Sequence, residues 1–265
     1  MNQGLEHNRE FLLLGPKRNA VLELSEVQRY GTDSYGDPDY VTIYGLRPAD
    51  WFAKGVRLLG RTAVECTRDE LANAVGKEIA AIAANDAGAA HVVLDLFAGS
   101  GNTLHWMLRH LPCARAIGFE LDRKIFELTR ANLAILGLPV TILNADYASE
   151  LRNVAPATDE LLITFIAPPW GEALSAKSGL DLRRTTPPVT NIVDLLTTHY
   201  RHRRLVCAVQ VHERLDPAGV CEITQRFDWS VLSIFDLGPP GERHGLLLGT
   251  IGWVPTIRSA AANDA

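Results

Sequence analysis

The sequence predicts an α/β protein built on a mostly parallel, seven-stranded sheet, preceded by an N-terminal extension. Three observations carry that reading. From His91 onward, short apolar runs alternate with amphipathic segments of helical period, the pattern of strands joined by crossover helices. One such junction, His91-Val-Val-Leu-Asp-Leu-Phe-Ala-Gly-Ser-Gly-Asn-Thr103, passes from an apolar run through a glycine turn directly into a helix start. Near the C-terminus two apolar runs are separated by a stretch too short for a crossover helix, so they should pair antiparallel.

Composition sets the outer bounds. The 265 residues hold 47% hydrophobic and 22% charged side chains, a balance suited to a folded globular protein rather than a disordered one. The formal net charge of −5 removes the simplest electrostatic argument for a long nucleic-acid partner. The basic clusters Arg183-Arg184 and Arg201–Arg204 read as solvated faces. Four scattered cysteines form no metal-ligand spacing, and Cys207, inside an apolar run, reads as core. No apolar stretch approaches a membrane span, and Met1 to Glu10 lacks a secretory pattern, so a cytoplasmic location without membrane contact is expected. Oligomeric state is left open.

In chain order, Phe11 to Leu24 holds two apolar runs around Gly15-Pro16 and is expected to form a hairpin. Tyr30 to Tyr40, rich in tyrosine and turn formers, is expected to be an ordered loop, packed on the domain or serving as a lid. Thr67 and Glu70 fit a capping box for a helix whose apolar face is Leu71, Val75, Ile79 and Ile82, ended near Asn85 to Gly88. Strands are then expected at 92–97, 114–119, 140–143, 161–167, 205–211, 229–235 and 246–254. Helices are expected at 103–111, 123–136, 148–153 and 191–200. The organisation is an extension over 1–66, one α/β domain over 67–257 and a frayed tail over 258–265.

The glycine turn is the candidate binding cradle. Leu104 stands where a dinucleotide fingerprint has its third glycine, which disfavours a nicotinamide oxidoreductase. Acids sit instead at three successive strand ends. Asp95 suits an ammonium group, Glu120 a pair of ribose hydroxyls, and Asp146 an adenine amine, and S-adenosylmethionine carries all three. Taken one at a time, these acids also read as a turn cap, a helix-start carboxylate and an N-cap. With them, Phe97, Ala98, Gly99, Gly101, Asn102, Thr103, Leu121 and Tyr147 make up the expected cofactor set.

These motifs resemble the first three of the class I S-adenosylmethionine-dependent methyltransferases, over about Thr67 to Val254. The fourth strand leads into Ala167-Pro168-Pro169-Trp170-Gly171. Proline holds the preceding residue extended, and Trp170 offers a flat stacking face. This resembles the Asp/Asn/Ser-Pro-Pro-aromatic motif of methyltransferases acting on planar nitrogen, and within them the trimethylguanosine synthase type. The resemblance implies Ala167, Pro168, Pro169 and Trp170 as the catalytic corner, with Trp170 holding the acceptor ring and Thr67 near the cofactor. Ala167 replaces the family's polar residue, leaving its backbone carbonyl as the acceptor's hydrogen-bond partner. The expected acceptor is a guanine-containing or small heteroaromatic or amide molecule. RNA is an alternative that the net charge does not support. A non-catalytic cofactor-binding subunit is the reading from another class.

Overall fold

The computed structural model describes residues 8–86, 90–111, 113–238 and 242–256. The central sheet has the hydrogen-bonded order β3-β2-β1-β4-β7-β9-β8. Its strands are β1 (His91–Asp95), β2 (Cys113–Phe119), β3 (Thr141–Leu143), β4 (Leu161–Ile166), β7 (Leu205–His212), β8 (Trp229–Ile234) and β9 (His244–Ile251). All seven expected strands form, each within a few residues of its expected bounds. The register is parallel for β2 with β3 and β4 with β7, and antiparallel for β7 with β9 and β8 with β9. β1, β4 and β7 are buried along their whole length, as near-continuous Val, Ile and Leu runs require when both faces of a sheet are covered. Cys207 is fully buried there.

Contacts cluster into two compact units. One holds residues 1–76, 95–109 and 116–150, the other 77–94, 110–115 and 151–265. The division runs through β1 and β2. The expected tail over 258–265 lies outside the described residues, as does Gly88.

The first unit contains α6 (Asn102–His110) and α7 (Arg123–Ile135) beside β3 and the end of β2. α7 is capped by Asp122, whose carboxylate accepts from the N–H groups of Lys124 and Ile125 at 3.0 and 3.1 Å. Leu104 is fully buried. The space a third glycine usually provides comes from β2 instead, because a Cβ at Gly118 would fall 2.8 Å from Leu104 Cδ1.

The extension departs from the sequence expectation. No hairpin forms at Phe11–Leu24. Asn8 accepts from the Phe11 N–H at 3.0 Å and starts the short helix α1 (Arg9–Leu13), which places Leu12 in the core. Of the proposed strands, only an isolated bridge between Val21 and Leu59 remains. Half of the tyrosine-rich segment is helical in α2 (Leu24–Tyr35), which opens on Glu23, whose N–H is held by the Glu26 carboxylate at 3.0 Å, and stops at Gly36 with φ 70°. Tyr30 is buried, while Tyr35 and Tyr40 stack at 3.5 Å with the Arg68 guanidinium 3.8 Å over Tyr40. Tyr30 is therefore a core residue, not part of a lid. α3 (Pro48–Ala53) and α4 (Gly60–Glu65) complete the extension. Next, α5 (Asp69–Ala83) presents Ala72, Val75, Ile79 and Ile82 as its buried face. It begins two residues after Thr67, so Arg68 precedes its first residue.

In the second unit, the four-residue α8 (Tyr147–Glu150) of its neighbour gives way to β4, then to a small antiparallel pair, β5 (Leu174–Ser175) and β6 (Gly179–Leu180). α9 (Val189–His199) and α10 (Pro217–Thr224) follow, the latter capped by Asp216 at 2.8 Å from the Gly219 N–H.

Candidate active site

The cradle lies wholly in the first unit. After β1 the chain turns through Gly99 (φ 49°) and Gly101 (φ 74°), conformations an L side chain rarely adopts. Two short backbone bonds fix the turn: Ala98 N–H donates to Phe119 at 2.8 Å, and Gly101 N–H to Ala98 at 2.7 Å. The Thr129 hydroxyl donates to the Gly99 carbonyl at 2.6 Å. A Cβ at Gly101 would come within 3.2 Å of Thr129 and 3.3 Å of Leu133, so backbone must approach α7 closely there.

Asp95, at the last position of β1, is 1% exposed. One of its oxygens accepts from the Phe97 N–H at 3.1 Å, and no lysine or arginine among the described residues forms an ion pair with it. Burial pushes its carboxyl up to about 7; the Phe97 N–H works against this shift and the nearby Glu120 adds to it. Glu120, just past β2, accepts from the Gly99 N–H at 3.1 Å and the Asp122 N–H at 2.7 Å. It too is raised by burial, against those two donors. Beside it Leu121 is 74% exposed, an apolar side chain held out at the strand end. Two carboxyls whose ionisation is disfavoured by burial, next to a backbone turn that admits close approach, fit a ligand bringing an ammonium group and hydroxyl donors.

Asp146, past β3, accepts from the Ala148 N–H at 2.9 Å and so commits one oxygen to the start of α8. Tyr147 is buried with its ring 5.3 Å from that of Phe97. Asn102 and Thr103 are buried at the start of α6. The Asn102 side chain is engaged by the extension: it accepts from the Tyr44 N–H at 2.6 Å and donates to the Thr67 carbonyl at 2.8 Å and to Asp69 at 3.1 Å. Asp69 also accepts from the Gly45 N–H at 2.9 Å and the Trp106 indole at 2.7 Å. Tyr44 sits at φ 59°, unusual for a bulky residue, and its hydroxyl donates to the Ser100 carbonyl. Thr67 thus reaches the cradle through its carbonyl, while Tyr44 and Asp69 are site residues that the motif reading passed over.

The Pro-Pro-Trp loop lies wholly in the second unit. β4 ends at Ile166, and Ala167 to Trp170 follow at the carboxyl end of the strand, with Pro168 buried, Pro169 exposed and Trp170 half-buried. The Trp170 carbonyl accepts from the Ala173 N–H at 2.8 Å, which closes the turn after it. Trp170 has two imidazole neighbours: His244 stacks at 5.1 Å and 27°, and His212 stands edge-on at 5.9 Å and 87°. The two histidines are cross-strand partners in the β7–β9 register. Gln210 lies 3.2 Å from His244 Nδ1, and His212 Nδ1 accepts from the Arg214 N–H at 3.0 Å, which leaves the neutral ring's proton on Nε2. A histidine ending the apolar run of β7 was the signal available for this cluster.

Among the described residues no group of three or more His, Cys, Asp or Glu could hold a metal, and no helix is long and apolar enough to cross a membrane.

Residues 63–191 match the family model described as Conserved hypothetical protein 95. The chain is 25% identical over 140 residues to the trimethylguanosine synthase of Schizosaccharomyces pombe, covering 51% of this chain and 55% of the relative. It thus spans about half the length of that curated relative. Among solved structures it is similar to an rRNA methylase from Streptococcus thermophilus (15% identity, 69% of this chain and 96% of that one, TM-score 0.42). It is also similar to a putative class I S-adenosylmethionine-dependent methyltransferase from Listeria monocytogenes (13% identity, 69% and 60%, TM-score 0.46).

Proposed function

We propose that this chain, a class I methyltransferase by strand order and motif set, transfers a methyl group from S-adenosylmethionine to a planar nitrogen acceptor held on Trp170. The observation that carries the cofactor reading is the pair of carboxyls at the Gly99–Gly101 turn, the buried Asp95 and the half-buried Glu120, which holds the Gly99 N–H. In this reading Asp95 takes the cofactor's ammonium group and Glu120 its ribose hydroxyls. Leu121 and Phe97 flank the adenine, and Asp146 accepts from its amine. Bound there, the cofactor supplies a methyl group already activated on a sulfonium.

The protein's task is alignment. Pro168 holds Ala167 extended, so its carbonyl oxygen accepts from an acceptor N–H and turns the nitrogen lone pair in one direction. Trp170 fixes the acceptor plane. Orientation of this kind lowers a barrier by about 7–11 kcal/mol, and no side-chain base is needed for the methyl transfer itself.

The sequence match to a trimethylguanosine synthase supports a guanine-like exocyclic amine, and hence N-methylation, as the favoured chemistry. The charge balance supports a small or capped acceptor over a long RNA: the net charge is −5, and Arg183, in the segment after Trp170, is paired with both Asp181 and Asp216. A soluble, cytoplasmic enzyme suits such an acceptor.

The test is incubation with methyl-labelled cofactor and a panel of guanine nucleosides, nucleotides and heteroaromatic amines, read by mass. Label should appear on a ring or exocyclic nitrogen with the wild type. Trp170→Ala should keep cofactor affinity and lose turnover by at least about a hundredfold. Label on oxygen or carbon, or loss of cofactor affinity in the variant, would overturn the assignment.

A further inference from the structure

The two histidines beside Trp170 are not explained by strand pairing alone. The three ring centroids form a triangle with sides of 5.1, 5.9 and 6.2 Å. The two imidazoles approach the indole differently, His244 inclined at 27° and His212 nearly perpendicular at 87°. His244 stacks on one face of the indole, inclined to it by 27°, while Gln210 lies 3.2 Å from its Nδ1. His212, 5% exposed and fixed at Nδ1 by the Arg214 N–H, closes the edge. β7 and β9 supply all three residues, so the wall behind the tryptophan is built on paired strands rather than on a loop.

We propose that His244 is a positioning residue for Trp170: it occupies one indole face and so confines a planar acceptor to the opposite one, with His212 and Gln210 fixing its ring. The proposal rests on Trp170 being the acceptor platform. It assigns the loop's specificity to a one-sided stacking surface, suited to a single flat ring and unsuited to an insertion between two aromatic planes. Aromatic stacking without ionisation should suffice for this work, so phenylalanine should replace His244 and alanine should not.

Two measurements on the full-length protein test it, each on wild type, Trp170→Phe, His244→Ala and His244→Phe. The first is acrylamide quenching of the fluorescence assigned to Trp170 by difference from Trp170→Phe, which needs no acceptor. His244→Ala should raise the quenching constant by about twofold as the second face opens, and His244→Phe should not. The second is a fluorescence titration with guanosine in the presence of S-adenosylhomocysteine. His244→Ala should weaken guanosine by about tenfold and His244→Phe by less than about threefold, both with unchanged affinity for S-adenosylhomocysteine. Unchanged quenching in His244→Ala, or a phenylalanine variant as weak as the alanine one, overturns the positioning role. Failure of guanosine to bind the wild type strikes the guanine reading instead, and the quenching comparison still decides the role of His244.

Discussion

At the scale of single residues, Asp95 carries the most chemistry. Its folded-state pKa of about 7 lies above the ordinary carboxylate value of 3.8, so the folded protein holds this proton more tightly than the unfolded chain does. Its contribution to stability is therefore fully present below the ordinary value and is lost as pH rises towards about 7, the reverse of a salt-bridged aspartate. A bound ammonium group reverses the penalty by favouring the ionised form. Affinity for S-adenosylmethionine should then rise by about tenfold between pH 6 and pH 8 in the wild type, as calorimetry would measure, and stay flat in Asp95→Asn. A flat wild-type profile would remove the ammonium from Asp95. The acids at strand ends were legible in sequence because each follows an apolar run. Their environments were not: that Asp95 is wholly buried while Asp146 caps a helix depends on neighbours distant in the chain.

At the scale of elements, the sheet was legible and the extension was not. Buried parallel strands announce themselves as unbroken apolar runs, and Gly-Pro punctuation marks their ends. The extension is made of short helices, and α2 contains Gly31, Thr32, Asp33 and Ser34, all weak helix formers. Tertiary contacts of the Tyr30, Tyr35 and Tyr40 rings accompany that helix against its propensity. The signal that would have found α2 was a local cap, Glu23 paired with Glu26 in its first turn; Asp216 before Pro217 marks the start of α10 in the same way. Attention to Thr67 and Glu70 also hid Asp69 between them, although Asp69 gathers Gly45, Asn102 and Trp106 around one carboxylate. Removing a buried acceptor from three donors should cost about 2–4 kcal/mol. Asp69→Ala should therefore lower the melting temperature and expose residues 36–47 to early proteolysis, with Asp69→Asn intermediate. An unchanged melt in Asp69→Ala would show that this clamp contributes nothing.

At the scale of the whole molecule, charge and fold point in the same direction. The sheet is the mostly parallel one that the alternating pattern implied, with its last two pairings antiparallel. In open α/β sheets ligands gather beyond the carboxyl ends of the strands, and both the cradle and the Pro-Pro-Trp loop begin at such ends. A protein of net charge −5 that takes a small acceptor should lose little affinity for it as salt rises from about 50 to 200 mM, whereas one making 6–10 phosphate contacts would lose about 10³–10⁵. A steep salt slope for acceptor binding would favour RNA instead.

The central claim is that the Asp95-to-Thr103 cradle is made for S-adenosylmethionine, and calorimetry on the purified protein with S-adenosylmethionine, S-adenosylhomocysteine and NAD tests it most directly. Micromolar binding of the first two, weakened in Asp95→Asn, and no measurable binding of NAD are expected. Binding of NAD without binding of either adenosyl ligand would contradict it.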